Sequence, residues 1–445
     1  MSSSTQRSSS PELSLEAFLK SDEAAKRALE ATKLFFKELE DYGHVRIFTY
    51  PVFENLIAAS QLQLTLEERG ITAIVDIAPI KYPDETSPLI TIEAKAGKRK
   101  APSLEIYPTT PRVEGKSISF WVNEVNPSAV VIKLLEEMYP VKEEYKLFSI
   151  VASYAMERDV WGGLQELIIQ SLIVSEILTK DITFSLYKWK SLPVCHSVSF
   201  TAIPFFLTFA ANPQKVCEYF RVNDLEIDES TTINDLTKEG EDVLANFINL
   251  LLKSLDSISK RKRDVIEIIF EGVELTESAV EEYGLPKILT HGFKQGSFVF
   301  LTVIDLSPFH VLSLPSLSAH YYRMEELYTK NIMFAKEEVP ASLLNAKLIN
   351  GVGKKAIVYS FNTLPPSPTL TYRMIRDLGY GTDAGTIIAF NAESKSVIPV
   401  DSIKRAGLDL GYLIKKASSM GWELVGGSLV KEDEKGKELK ALLEA

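Results

Sequence analysis

Histidine and cysteine are scarce in this chain, and their scarcity excludes more chemistry than any other feature of its composition. The 445 residues hold five histidines and two cysteines. Cys195 and Cys217 are too few for a disulfide framework or a four-cysteine zinc site. Residues 1 to 195 contain a single histidine, His44, so a phosphodiesterase centre that needs two or more imidazoles cannot be built there. His291, His310 and His320 follow at spacings that no metal-ligand pattern uses. No apolar run reaches the ~18 residues of a membrane span. The start, "MSSSTQRSSSPE", reads as a disordered polar tail (1–11) without an apolar signal core, so a cytoplasmic protein with no membrane partner is expected. Positive charge is also short. The formal net charge is −11, and such a surface repels nucleic acid except where local basic patches overcome the general field.

What is present is ordinary for a soluble globular chain: 45% hydrophobic and 24% charged residues, over a length that holds two or three domains. "PELSLEAFLKSDEAAKRALEATKLFFKELEDYG" has apolar positions at helical spacing and stops at Gly43. "VRIFT" (45–49) predicts a buried strand, "ENLIAASQLQLTLEERG" (54–70) an amphipathic helix, and "ITAIVDIA" (71–78) the next strand. Strand, helix, strand makes a βαβ unit with a right-handed crossover. Short strands are expected at 89–94, 103–108 and 117–122, then a helical block from Pro127 to about Lys180. Residues 186–345 read as a largely helical middle region, and 346–445 as a second α/β part with strands at "KKAIVYSF" and "GTIIAFN".

In open α/β sheets ligands sit beyond the C-terminal ends of the strands. That makes the turn after 45–49 the default site. It offers Tyr50, Val52 and Glu54 at alternate positions, and Glu54 serves equally as a first-turn acid favoured by the helix dipole. Lys95, Lys98, Arg99 and Lys100 form a basic loop that could touch a phosphate backbone or be solvated surface; Arg261, Lys262 and Arg263 form a second run. Gly426 and Gly427 permit close backbone approach but also suit a tight turn. Cys195-His196 is poor geometry for a nucleophile and base if both sit on one strand. "NGVGKK" (350–355) lacks the first glycine and the hydroxyl residue of a phosphate loop and reads as a turn. The acidic connector from Asp224 to Asp242 reads as solvated, and it could contact a basic partner.

Residues 46–60, "RIFTYPVFENLIAAS", followed by the block after Pro127, resemble the Asp-His-His (DHH) phosphoesterase superfamily, the RecJ nucleases. In that family's first motif, His/Asp-Tyr-Asp-x-Asp-Gly, Val52 and Glu54 stand at the two metal-binding Asp positions, Tyr50 precedes them and Asn55 stands at the Gly. "NEVNPSAVVIKLLEEMYP" resembles the helix entry after the Asp-His-His strand, but "SLEIYPTT" stands where the Asp-His-His would be. "FSIVASYAMERDVWGGLQELIIQS" resembles the fourth motif, with Glu157 at its metal Asp. "SIKRAGLDLGYLIKKASSMGWELVGGSLV" resembles the DHH-associated domain, whose Gly-Gly-His-Pro loop helps to bind nucleic-acid ends; Gly426 and Gly427 match that loop, and Ser428 stands at its His.

The resemblance implies a degenerate DHH domain over 12–185, a helical insertion over 186–345 and a DHH-associated domain over 346–445. The insertion is typical of the branch holding the archaeal RecJ-like proteins and cell division control protein forty-five. That branch implies a non-catalytic, nucleoid-associated scaffold of the replicative helicase. Its implied partners are the GINS complex, the MCM ring and single-stranded DNA, with no metal and no cofactor. The alternative is a manganese-dependent single-stranded DNA 5′-exonuclease or phosphodiesterase using Glu54, Asp76 and Glu157.

Overall fold

The two central strands of the first sheet are buried at every residue, as strands covered on both faces are, while its edge strands are partly or wholly exposed. The computed structural model describes residues 14–19, 22–78, 85–122, 126–155, 161–255, 268–283, 314–351, 354–383, 385–433 and 436–444. The N-terminal tail, Glu157, the run Arg261–Arg263, His291 and His310 lie outside the described residues. Contacts divide the chain into two units, one formed mainly by residues up to Leu178 and the other by Thr179 onward.

In the first unit, α1 (Leu15–Phe18) and α2 (Glu23–Tyr42) precede β1 (His44–Thr49), α3 (Phe53–Glu67), β2 (Thr72–Ile77), β3 (Leu89–Ile92), β4 (Ser103–Ile106), β5 (Arg112–Glu114) and β6 (Ser117–Phe120). Three helices close it: α4 (Pro127–Glu136), α5 (Glu143–Ala155) and α6 (Gly163–Val174). The strand order is β2-β1-β3-β4-β6-β5, parallel except for the β5–β6 pair. β3 and β4 are buried at every residue. α2 has a clear apolar stripe, Ala25, Ala28, Leu29, Phe35, Phe36 and Leu39. Asp22 caps its start by accepting the Ala24 and Ala25 N–H groups at 3.0 and 2.9 Å, and left-handed Gly43 (φ +66°) ends it.

The expectation of an amphipathic helix after β1 is corrected. The first ten residues of α3, Phe53 to Leu62, are all buried, because α3 packs on β1, β2 and β3 and also against α4 and α5. A helix covered on all sides shows no polar stripe. The helical block also ends sooner than expected, at Val174, and the short hairpin strand β5 was missed.

The second unit opens with β7 (Leu178–Phe184), α7 (Val194–Ser199), α8 (Pro213–Val222), α9 (Ile233–Glu239), α10 (Glu241–Leu255), β8 (Ile269–Leu275), α11 (Glu277–Glu282) and α12 (Leu314–Leu344). β7 and β8 form a two-stranded sheet, so the middle region is mostly helical but not wholly so. Two expectations fail here for local reasons. Cys195 and His196 lie on α7, not on a strand, and Cys195 is bonded to Cys217 on α8, with their Cα atoms 5.6 Å apart. The acidic connector is built into the fold. Asp228 accepts from the N–H and hydroxyl groups of Ser230 and Thr231, Thr232 and Asp235 form a capping box, and Leu225, Ile227, Ile233 and Leu236 are buried in the core.

The chain then forms β9 (Lys347–Asn350), β10 (Lys355–Ser360), α13 (Pro368–Asp377), β11 (Thr386–Ala392), β12 (Lys395–Pro399), α14 (Val400–Arg405), α15 (Leu410–Ser419), β13 (Glu423–Val425), β14 (Ser428–Glu432) and α16 (Lys437–Glu444). Their sheet runs β13-β14-β12-β11-β10-β9, with only β10–β11 parallel. Phe205, Tyr328, Ile332, Phe361, Met374 and Phe390 share one core, which joins the middle helices to this sheet. Within "NGVGKK" the Gly351 N–H donates to the Lys354 carbonyl at 2.9 Å between antiparallel β9 and β10, while Val352 and Gly353 lie outside the described residues.

Candidate functional site

β1 sits between β2 and β3, so the chain leaves β1 toward one side through α3 and returns across it to the other. This reversal of order puts the default ligand crevice at the C-terminal end of β1. Tyr50, Pro51 and Val52 make the turn there. The Val52 N–H donates to the Tyr50 carbonyl at 2.8 Å, and Val52 becomes the N-cap of α3 with no side-chain hydrogen bond to offer. Val52 is 2% exposed and Glu54 2%, and Asn55 is fully buried. The ring of Tyr50 meets Phe48 edge-on at 6.0 Å. The structure thus brings Tyr50, Val52, Glu54 and Asn55 together, but as a packed corner.

The carboxylates around that corner are spent separately. Asp76 on β2 receives Arg46 of β1 through two hydrogen bonds of 2.7 Å, a forked pair that occupies both oxygens. Glu105 on β4 is the carboxylate of "SLEIYPTT"; it accepts from the Ala96 N–H at 2.8 Å and the Ser119 hydroxyl at 3.1 Å. His44 opens β1 at the opposite end of the strand and is exposed, with Nδ1 2.9 Å from the Tyr42 carbonyl. Among the described residues no group of three or more His, Cys, Asp or Glu side chains is placed to hold a metal ion.

Behind the corner lies a buried polar network that sequence reasoning missed. Asn126 caps α4 by accepting the Ser128 N–H at 3.0 Å. Its Nδ2 lies 2.9 Å from the Ser149 carbonyl, 2.8 Å from the Ser153 hydroxyl and 3.1 Å from Gln165 Oε1. Ser128 donates at 2.7 Å to Gln61 of α3, whose amide donates to the Tyr145 carbonyl. The signal was Asn126-Pro127, a cap residue followed by proline at the first helical position. Asn55 stays outside this network: neither its Oδ1 nor its Nδ2 has a hydrogen-bond partner among the described residues.

The candidate nucleic-acid contacts fall in two places. In the first unit Lys95, Lys98 and Lys100 are exposed, while Arg99 donates to the Ser87 carbonyl at 2.9 Å and Lys95 lies 5.7 Å from the centre of the Tyr107 ring. In the second unit Gly426 (φ +52°) and Gly427 (φ +71°) form the two-residue turn of the β13–β14 hairpin. Positive φ at both centres is what a twisted hairpin of that length demands. Ser428 is buried beside them.

No protein-family model matches the chain, and no curated protein matches its sequence. Solved structures do. CDC45 from Entamoeba histolytica superposes with a TM-score of 0.60, at 10% identity, over 93% of this chain and 98% of that one. The chain has the CDC45 fold. The α/β architecture expected from motif order is therefore the architecture found, and the likeness extends through the middle region rather than stopping at the first sheet. The exonuclease RecJ bound to manganese gives a TM-score of 0.39 at 12% identity, over 94% and 93% of the two chains. RecJ of Thermus thermophilus in complex with Mn2+ gives 0.36 at 12%, over 94% and 54%. Among the described residues no helix is long and apolar enough to cross a membrane.

Proposed function

We propose that this chain is a non-catalytic scaffold subunit of a DNA replicative helicase. On this reading it binds a GINS complex and an MCM ring, guides single-stranded DNA, and works in the cytoplasm at the nucleoid. Residues 12–185 act as a degenerate DHH domain, 186–345 as the insertion and 346–445 as the DHH-associated domain. The observation that carries the reading is the likeness to CDC45 over nearly the whole of both chains. The content of the β1 corner agrees with it. An aliphatic Val52 cannot ligate a metal, and Asp76 already has both oxygens on Arg46. The mechanism is then geometric, made of interfaces and a strand path.

The test is affinity capture of the tagged chain from its source cells at moderate salt, with the co-eluting proteins identified by mass spectrometry. GINS and MCM subunits in near-stoichiometric amounts are expected. A capture that contains neither would reject the helicase assignment. Manganese-dependent degradation of labelled single-stranded DNA that disappears with Glu54→Ala would reject the non-catalytic assignment on its own.

A further inference from the structure

The second unit carries a groove of about 970 Å³ at the end of the parallel β10–β11 pair. Ser360 closes β10, Asn391 lies at the end of β11, and Ser394 follows in the turn. The C-terminal end of parallel strands is the position where α/β sheets place ligands. Lys347 from β9 and Lys437 and Lys440 from α16 rim the groove, and Leu348, Ile349 and Val358 give it an aliphatic floor. No carboxylate is among its described lining residues. Lys347 and Lys437 make no ion pair among the described residues, and Lys440 makes only an exposed 3.5 Å contact with Glu444 on its own helix. In a chain of net charge −11, three lysines on one rim are a local concentration of positive charge.

Past Lys440, α16 carries no further basic residue, and a second pair of lysines lies beyond its C-terminal end. At the far end of that helix, Leu443 packs on the β9–β10 hairpin so closely that a Cβ on Gly351 would fall 2.5 Å from its carbonyl oxygen. There Tyr412, 50% exposed, has the Lys354 ammonium 5.1 Å and the Lys416 ammonium 5.8 Å from its ring centre. Lys416 also donates to the Leu442 carbonyl at 2.6 Å, tying this aromatic to the end of α16. Burial and the charge of Lys354 together hold the Lys416 pKa below its ordinary value, a crowding that an anion would relieve. Eight residues of helix put the groove and the tyrosine on the order of 12 Å apart.

We infer that the groove rimmed by Lys347, Lys437 and Lys440, together with Tyr412 and its two lysines, is a binding path for a single nucleic-acid strand. The phosphates lie on the lysines and a base lies on the tyrosine. This is the chemistry of single-strand binding without sequence preference, a cationic track with an aromatic platform. It rests on the strand-guiding part of the proposed function and gives that part an address, at the sheet edge opposite the Gly426-Gly427 hairpin.

Fluorescence anisotropy of a labelled oligothymidylate, titrated with the full chain at several salt concentrations, tests it. The variant Lys347→Ala/Lys437→Ala/Lys440→Ala is compared with a charge-matched control, Lys215→Ala/Lys238→Ala/Lys253→Ala, whose three lysines are exposed on the middle helices. The groove variant is expected to bind about tenfold more weakly or worse, and to flatten the salt dependence by about 2 in log–log slope, since each phosphate contact contributes roughly 0.7. Tyr412→Ala is expected to cost about tenfold without changing that slope. Equal weakening of groove variant and control would overturn the inference while leaving strand binding itself in place. A wild-type chain that binds no oligothymidylate even at low salt would overturn both. Polyglutamate that displaces the oligonucleotide from the wild type at equal concentration would assign the groove to an acidic peptide instead.

Discussion

Two crevices at the ends of parallel strands occupy corresponding places in the two sheets and hold opposite contents. The corner after β1 is closed: Val52, Phe53, Glu54 and Asn55 are buried and Asp76 is locked to Arg46. The groove after β10 and β11 is open, lined by lysines, hydroxyls and one amide. Topology therefore provides a place for a ligand without deciding whether there is one. Side-chain volume and charge decide it, closing the corner in the first unit and leaving the groove of the second open.

The largest effect expected from this contrast comes from restoring a carboxylate to the closed corner. Val52→Asp should cost about 3–5 kcal/mol of stability, the penalty of an uncompensated buried charge, measured by urea unfolding. Manganese should not restore the loss; full rescue by the metal would show that the corner can still form a metal centre. The second unit has its own buried charge, Asp401, which accepts from Arg373 Nε at 3.0 Å and Arg405 Nε at 3.4 Å. Burial pushes the Asp401 pKa up, but the charges of Arg373, Arg405 and Lys404 outweigh it and bring it down to about 2. A depressed pKa stabilises the fold above the unfolded value of 3.8, and that contribution is lost as pH falls through about 2. Its size is roughly 2 kcal/mol. Asp401→Asn should remove this acid-dependent component from the urea midpoint, and an unchanged pH profile would show that the three cations do not act on it.

A smaller gain is expected from Asn55→Leu. The two side chains have similar shape, and Asn55 buries two polar atoms without partners among the described residues, so the change should stabilise by about 1 kcal/mol. A loss measured by thermal unfolding would mean that Asn55 is satisfied in solution. The smallest effect belongs to the open groove. Lys347→Asp should change stability by less than about 0.5 kcal/mol, in contrast to Val52→Asp; comparable losses at both positions would erase the distinction between a filled and a free crevice.

Much of the fold was legible before the structure. β1, β2, β10 and β11 match their expected bounds within one or two residues, because strand apolarity, glycine stops and turn chemistry are local signals. The order of motifs was also legible, and it led to the fold that the CDC45 likeness supports. What stayed hidden was short or non-local. β5 and β9 are brief edge strands whose pairing partners, not their composition, make them strands. α7 covers only six residues. The Asn126 network joins residues up to 84 positions apart, and the Cys195–Cys217 bond spans 22.

Residue identity and period were enough to exclude a two-histidine centre from residues 1 to 195, to put an aliphatic side chain, Val52, in the turn after β1, and to mark the strands and helices of the first and last parts of the chain. No packing can alter those properties. Folding in three dimensions was needed to give Asp76 to Arg46, to cover α3 on all sides, and to bring Lys347, Lys437 and Lys440 to one rim although 93 residues separate the first from the last. Proximity between distant residues is created by closing the sheets, and no local pattern encodes it.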